Sequence, residues 1–277
     1  MSHFLGIDIG SLSCDTVIID EKGDIVSTAV VPTGARNAEA IERSKSEALR
    51  AAGLTPDAVT SIVSTGYGRR RVEGRAAAVT EISCHAKGVH QLLPETRVLI
   101  DIGGQDSKAI VFDESGAVAD FAMNDKCAAG TGRFLEAMAR ALEVDITELS
   151  NMDEGATGKL TLSSMCTVFA ESEVVSLIAD GAEVNEIVNG LNRAVATRVR
   201  SMVKRIAPDL TSRPVAMSGG VAYNHGVVRA LSQLLGVEIT IPEKPDTVGA
   251  YGAALMALQK AEGRREKAEG RREKAEG

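Results

Sequence analysis

The sequence predicts an α/β fold assembled from two copies of one strand-rich unit, and three observations carry that expectation. The chain repeats itself at a fixed offset of 93, so that FLGIDIGSLSCDTVIIDEKGDIV (Phe4 to Val26) lies over RVLIDIGGQDSKAIVFDESGAVA (Arg97 to Ala119) without a gap. Over the 17 positions from Ile7 to Gly23 seven are identical, among them Asp8/Asp101, Gly10/Gly103, Asp20/Asp113 and Gly23/Gly116; random alignment of ordinary compositions gives about one. Each copy is an apolar strand, a glycine turn, a second strand and an Asp/Gly turn into a third, the pattern of β-branched runs broken by turn residues. Finally, helix-like and strand-like stretches alternate after each copy, which implies crossover connections, parallel pairing and sheets covered on both faces. The two halves are expected to meet along a cleft.

After the first copy come a polar amphipathic stretch Ala38 to Ala52, a strand Val59 to Ser64 and a helix Val79 to Leu93. After the second come helices at Arg133 to Leu142, Glu171 to Ala179 and Val184 to Ile206. A strand Pro214 to Met217, a helix Val227 to Leu235, a strand Val237 to Ile241 and a Gly/Ala-rich helix Val248 to Gln259 complete it. The expected division is 1–95 for the first half, 96–260 for the second and 261–277 for a charged tail, with the last helix able to pack back on the first half. The tail repeats KAEGRRE from Lys260 and from Lys267. A glycine every seventh residue and no apolar seam argue for a solvated helical extension rather than a coiled coil.

The chain has 277 residues, 44% hydrophobic and 25% charged, enough for two modest cores and unlike a disordered or fibrous protein. Its 31 Lys+Arg against 38 Asp+Glu give a net charge of −7, which disfavours nucleic acid as a partner. No apolar run approaches the roughly 20 residues of a membrane span, and Met1 to Gly10 lacks the pattern of a signal peptide. A cytoplasmic protein is expected. Four cysteines, Cys14, Cys84, Cys127 and Cys166, are too few for a disulfide scaffold and point to thiols or metal ligands.

The duplicated loops suggest phosphate binding. A carboxylate ending a buried strand, followed by glycine and small polar residues, allows amides to approach phosphate and the carboxylate to hold Mg²⁺ through water. Asp8 with Gly10, Ser11, Leu12 and Ser13 forms one such loop; Asp101 with Gly103, Gly104, Gln105 and Asp106 forms the other. Gln105 is placed to orient an attacking water, or is a surface turn residue. Gly219 and Gly220, between a strand and a helix and followed by Asn224, would lie against a base or ribose, or make a plain turn. Thr65-Gly66-Tyr67-Gly68-Arg69 reads as a hinge.

On these residues the chain resembles the acetate kinase, sugar kinase, chaperone and actin ATPase superfamily, which implies a duplicated ribonuclease-H-like fold with an interdomain nucleotide cleft. Within it, MNDKCAAGTGRF (Met123 to Phe134), TVFAESEVVS (Thr167 to Ser176) and EISCHA (Glu81 to Ala86) resemble the activators of 2-hydroxyacyl-CoA dehydratases, kin of the ATPase subunits of benzoyl-CoA reductase. Cys127 and Cys166 each precede an expected helix, where unpaired amides favour thiolate, and Ala128, Ala129 and Gly130 leave room for an inorganic group, with Gly130, Thr131 and Gly132 in the cofactor-binding set. A cubane takes four thiolates, available either from two chains related by a two-fold axis or from all four cysteines of one chain. The resemblance implies the former: one 4Fe-4S cluster per homodimer, ligated by Cys127 and Cys166, and oxygen-sensitive. It also implies ATP/ADP and Mg²⁺, catalytic Asp8, Asp101 and Gln105, an upstream ferredoxin or flavodoxin, and low-potential electron delivery to a partner iron-sulfur dehydratase, aryl-CoA reductase or double-cubane protein, driven by closure on ATP. His85, beside Cys84, is expected to pack rather than ligate.

The family tends to carry Ser-Thr-x-x-Lys in the first loop, whereas this chain has Ser11-Leu12-Ser13-Cys14-Asp15. An aspartate there repels phosphate, so Asp15 is expected to turn away or sit apart, while Lys108, its repeat counterpart, could supply the cation. Two other classes stay open on sequence alone: a small-molecule kinase of the same superfamily, and a nucleotide-dependent scaffold.

Overall fold

Two five-stranded sheets carry the architecture of the computed structural model, which describes residues 2–162 and 166–276, the last nine of these by backbone only. The first sheet consists of β1 (His3–Ile9), β2 (Ser13–Ile19), β3 (Ile25–Pro32), β4 (Val59–Gly66) and β5 (Ala77–Ala78), in the order β3-β2-β1-β4-β5. The second has β6 (Val98–Ile102), β7 (Ser107–Phe112), β8 (Val118–Asn124), β9 (Val215–Ser218) and β10 (Ile239–Thr240), in the order β10-β9-β6-β7-β8. Read from the hairpin side, the two orders are the same.

In each sheet the first three strands are antiparallel and the outer two parallel to the central one. The repeat is reproduced bond by bond. Gly10 N donates to Ser13 O at 2.9 Å and Gly103 N to Asp106 O at 3.0 Å. Asp20 Oδ1 accepts from the amides of Lys22 and Asp24, and Asp113 Oδ1 from those of Ser115 and Ala117. These amide bonds hold both carboxyls below the ordinary aspartate range, helped in Asp113 by the Ser115 hydroxyl, the largest cause there. This is the duplicated ribonuclease-H-like fold.

Helices α1 (Asn37–Ala52) and α2 (Glu81–Leu92) follow in the first unit; α3 (Gly132–Ala141), α4 (Thr167–Ala179), α5 (Val184–Ile206) and α6 (His225–Leu235) in the second; α7 (Val248–Glu276) ends the chain. The first unit comprises 1–92 together with 247–277, and the second 93–246. The last helix belongs to the first unit, where glycines let it lie directly on backbone. A Cβ on Gly6 would fall 1.9 Å from Ala250 O, and one on Gly252 1.7 Å from Cys84 O. Strand β1 and helix α2 therefore touch α7 main chain to main chain, a contact only glycine permits.

The first unit packs α1 against one side of its sheet, around Leu5, Ile7, Ile18 and Ile41, and α7 against the other, around Phe4, Val17 and Val63. A larger core, with Phe134, Met138, Leu191 and Val199, fills the second. Among the described residues no helix is long and apolar enough to cross a membrane.

Candidate functional site

The first loop places Asp8 at the C-terminal end of a buried central strand, with its carboxylate held in a slot. A Cβ on Gly66, whose φ is +85°, would stand 2.4 Å from Asp8 Oδ1, and one on Gly249 2.3 Å from Asp8 Oδ2. Gly66, read from sequence as part of a hinge, therefore borders the site. Gly10, Ser11 and Leu12 are half-buried at the loop, and Leu12 O accepts from Thr33 N at 2.8 Å.

Asp15 does not turn away. It lies opposite Asp8 across the β1–β2 ladder, and opposed residues in an antiparallel pair share a face. It is buried at 5% exposure, and the Ser13 hydroxyl donates to its Oδ2 at 3.0 Å, so that hydroxyl is engaged rather than open to a ligand. Strand register decides where this side chain points, on the same face as Asp8.

In the second loop the equivalent position carries the opposite charge. Asp101 faces Lys108 across β6–β7, with Lys108 Nζ 3.3 Å from Asp101 Oδ2 and 2.9 Å from Asp106, all three buried. Lys108 is thus committed to an internal ion pair. Ser218, which sequence reasoning passed over, donates to Asp101 Oδ1 at 2.7 Å from the neighbouring strand. Gln105 is exposed at the tip, between Gly104 and Asp106. Gly219 has φ +85°, and a Cβ there would sit 2.3 Å from Ile102 O, whereas nothing lies within 4 Å of one on Gly220. Exposed Gly220 offers bare backbone; Asn224 spends its side-chain oxygen capping α6, accepting from Val227 N at 3.0 Å.

The cysteine segment is built onto this second loop. Gly132 N donates to Gly103 O at 2.9 Å and Arg133 N to Gly104 O at 2.8 Å, so the start of α3 is hydrogen-bonded to the phosphate-loop glycines. Thr131, fully buried, donates to Ala128 O at 2.7 Å, and Gly130 takes φ +86° to turn the chain into the helix. Cys127 is half-buried in this turn; Asn124 Nδ2 donates to its carbonyl at 2.9 Å.

Contrary to expectation, Cys127 is not at the helix N-terminus. The Ala128–Gly130 turn intervenes and Thr131 takes the N-cap position, beyond the single turn over which the helix dipole acts. Cys166 is at one: it is the exposed N-cap residue of α4, and its carbonyl accepts from Ala170 N at 2.8 Å.

Cys14 and Cys84 lie in the interior of the first unit. Each is fully buried, Cys14 in the core under α1 and Cys84 in the core under α7. Burial first, then the carboxylates of Asp15 and Asp8, pushes the Cys14 thiol up to about 12; burial, with Asp8 and Glu81, does the same for Cys84. Both thiols are closed off from solvent, whereas Cys127 is half-buried and Cys166 exposed. Among the described residues no three His, Cys, Asp or Glu side chains gather as a metal site within the chain.

An open polar cleft of about 350 Å³ also lies in the second unit, between the 153–158 loop, α5 and α6. Its buried Asp153 pairs with Arg229 at 2.5 Å and accepts from Asn192 at 3.2 Å. None of the residues singled out from sequence lines it.

Residues 5–257 match the model of the BadF/BadG/BcrA/BcrD ATPase family. The chain belongs to that family. It is 45% identical over 260 residues, 94% of this chain and 99% of the relative, to the activator of lactoyl-CoA dehydratase from Anaerotignum propionicum. It superposes with a TM-score of 0.90 and 42% identity on the ADPNP-bound activator of the 2-hydroxyisocaproyl-CoA dehydratase from Clostridium difficile, covering 96% of this chain and 97% of that one. A glucokinase of Streptomyces griseus, at 16% identity, a TM-score of 0.56 and coverage of 93% and 100%, shares the fold alone. The duplicated loops are accordingly those of an ATPase family.

Proposed function

We propose that this chain is the ATP-dependent activator of a 2-hydroxyacyl-CoA dehydratase-type enzyme, delivering electrons at low potential from a 4Fe-4S cluster held by Cys127 and Cys166 of two copies. Such a cluster, when bound, supplies one-electron chemistry whose potential responds to its surroundings. The observation that carries the reading is the pair of backbone hydrogen bonds from Gly132 and Arg133 to Gly103 and Gly104. They make the phosphate loop and the Cys127 segment one mechanical piece, so a movement of the loop amides toward a phosphate is felt at the thiol.

The residues fit the cluster. Cys166 is exposed at the N-cap of α4, open to an inorganic group, and the small residues Ala128, Ala129 and Gly130 leave room beside Cys127. A single chain offers two suitable thiols, and α4 supports a second copy as the source of the other two. Val168 and Phe169 are each 67% exposed and Val175 54%, on a helix that also buries Ala170 and Val174. A helix that packs one apolar face on its own core and leaves further large apolar side chains exposed fits a larger interface.

For nucleotide, the amides of Gly10, Gly103 and Gly104 would meet phosphates, Asp8 and Asp101 would hold Mg²⁺ through water, and exposed Gln105 would orient the attacking water. Gly219 and Gly220 would lie against the nucleoside, with Asn224 fixing the α6 start behind them. The partner is a dehydratase or reductase of the class its relatives activate, and a ferredoxin or flavodoxin would reload it.

The test is electron delivery from the anaerobically reduced protein to a 2-hydroxyacyl-CoA dehydratase, with and without ATP. Transfer only with ATP is expected; equal transfer without nucleotide would overturn the coupling.

A further inference from the structure

The two halves differ at one buried position with a clear electrostatic consequence. Asp101 has a cation across the ladder in Lys108 and a hydroxyl beside it in Ser218. Asp8 has a hydroxyl-bearing counterpart in Thr65, its partner on β4, but a second carboxylate, Asp15, where Lys108 would be. Like charges directly opposed in a buried pair repel strongly. Across its ladder Asp8 thus meets a carboxylate where Asp101 meets a cation.

Helix α2 brings an imidazole to Asp8. His85 is buried at 6% exposure, and its Nδ1 lies 3.0 Å from Glu81 O. A carbonyl only accepts, so Nδ1 carries the proton and the ring is pinned at that edge. Gly249 borders the same edge of the ring: a Cβ there would meet Asp8 Oδ2 at 2.3 Å, His85 Cε1 at 2.7 Å and His85 Nδ1 at 3.2 Å. The carboxylate and the imidazole thus converge over a glycine that has no side chain to separate them.

We infer that His85 is a positioning residue for Asp8, supplying from α2 the partner that Lys108 supplies from β7 to Asp101. The inference rests on the reading of Asp8 as part of the nucleotide site. Through it the ring fixes the direction of the Asp8 carboxylate at the loop, and Gly249 and Gly66 keep the slot narrow.

Steady-state ATP hydrolysis by the full-length chain tests this with Asp8→Asn, His85→Asn, His85→Ala and the double variant His85→Ala/Asp15→Lys. His85→Ala is expected to raise the KM for MgATP about tenfold, the scale on which outer-shell partners act, with kcat changed less than about threefold. His85→Asn, which keeps a polar group of lower volume, covers the case in which the alanine variant does not fold. Lysine at position 15 should restore KM, because it would face Asp8 as Lys108 faces Asp101; a lost packing contact of α2 is not repaired from β2. An unchanged KM in both His85 variants, alongside a raised one in Asp8→Asn, overturns the inference and leaves the nucleotide site standing. So does a double variant no better than His85→Ala. An Asp8→Asn enzyme with wild-type KM overturns the nucleotide reading of the loop and the inference together.

Discussion

Lys108→Met removes the cation from a buried triad and leaves two carboxylates behind. Lys108 Nζ sits 3.3 Å from Asp101 Oδ2 and 2.9 Å from Asp106, and the three side chains are between 3% and 5% exposed. Breaking a buried pair while leaving its partner charged costs about 3–5 kcal/mol; with two stranded carboxylates the upper end applies. For a protein of this size that corresponds to a fall in Tm of roughly 10 °C or more. Thermal unfolding followed by circular dichroism without nucleotide reads the effect directly. The pH dependence gives a second check. In the variant, burial and mutual repulsion raise the folded-state pKa of the stranded carboxyls above their unfolded values. The folded state then binds protons more tightly, so the deficit should shrink as pH falls toward 5 and stay full near neutrality. A variant within about 2 °C of wild type, or a deficit that grows on acidification, would refute the triad as the source of that stability.

If α4 forms the proposed two-fold interface, Phe169→Glu should convert the protein to a monomer in sedimentation velocity, since the symmetry would take two aromatic side chains out of it, each worth about 1.5–3 kcal/mol if fully covered, and put two charges there. An unaltered dimer removes α4 from the interface. In the cluster-free folded protein at pH 8, iodoacetamide should label Cys127 and Cys166 and leave Cys14 and Cys84 intact. Their thiols, pushed up to about 12, stay protonated and fully buried. Peptide mass spectrometry distinguishes the four, and early labelling of Cys14 or Cys84 contradicts the packing described for them.

The repeat was legible because its signals are local. Asp20 and Asp113 each make a turn with the next few amides, and Gly10 and Gly103 each close one, so identical residues imply identical hydrogen bonds. Helix α5 runs from Val184 to Ile206, as its periodicity predicts. The start of α4 was not legible: expected at Glu171, it begins at Thr167, because the exposed apolar run Val168-Phe169 carries no helical alternation. How the last helix packs was not legible, since Gly6 meets Ala250 and Ala254, and Gly88 meets Gly252, across distant stretches, and these glycines report close packing only in three dimensions.

At the site, the residue types around each loop could be read but not their pairings. Lys108 reads as a spare cation until its register with Asp101 is known, and the register that sets Asp15 opposite Asp8 is likewise invisible in the sequence. Nothing in the sequence ties Ser218 to Asp101, or Thr65 of the expected hinge and His85 of EISCHA to Asp8; they matter because neighbouring elements end beside those carboxylates. The signal that could have found them is the repeat itself: once Asp8 and Asp101 are matched, the strands beside them can be matched too.

The most direct measurement is iron and acid-labile sulfide per chain in the anaerobically reconstituted protein, with its mass in solution measured on the same sample. About four iron and four sulfide for every two chains, on a dimer, and none in Cys127→Ser or Cys166→Ser, is the predicted outcome. A full cluster on each monomer, or a cluster retained when either thiol is removed, would contradict the account.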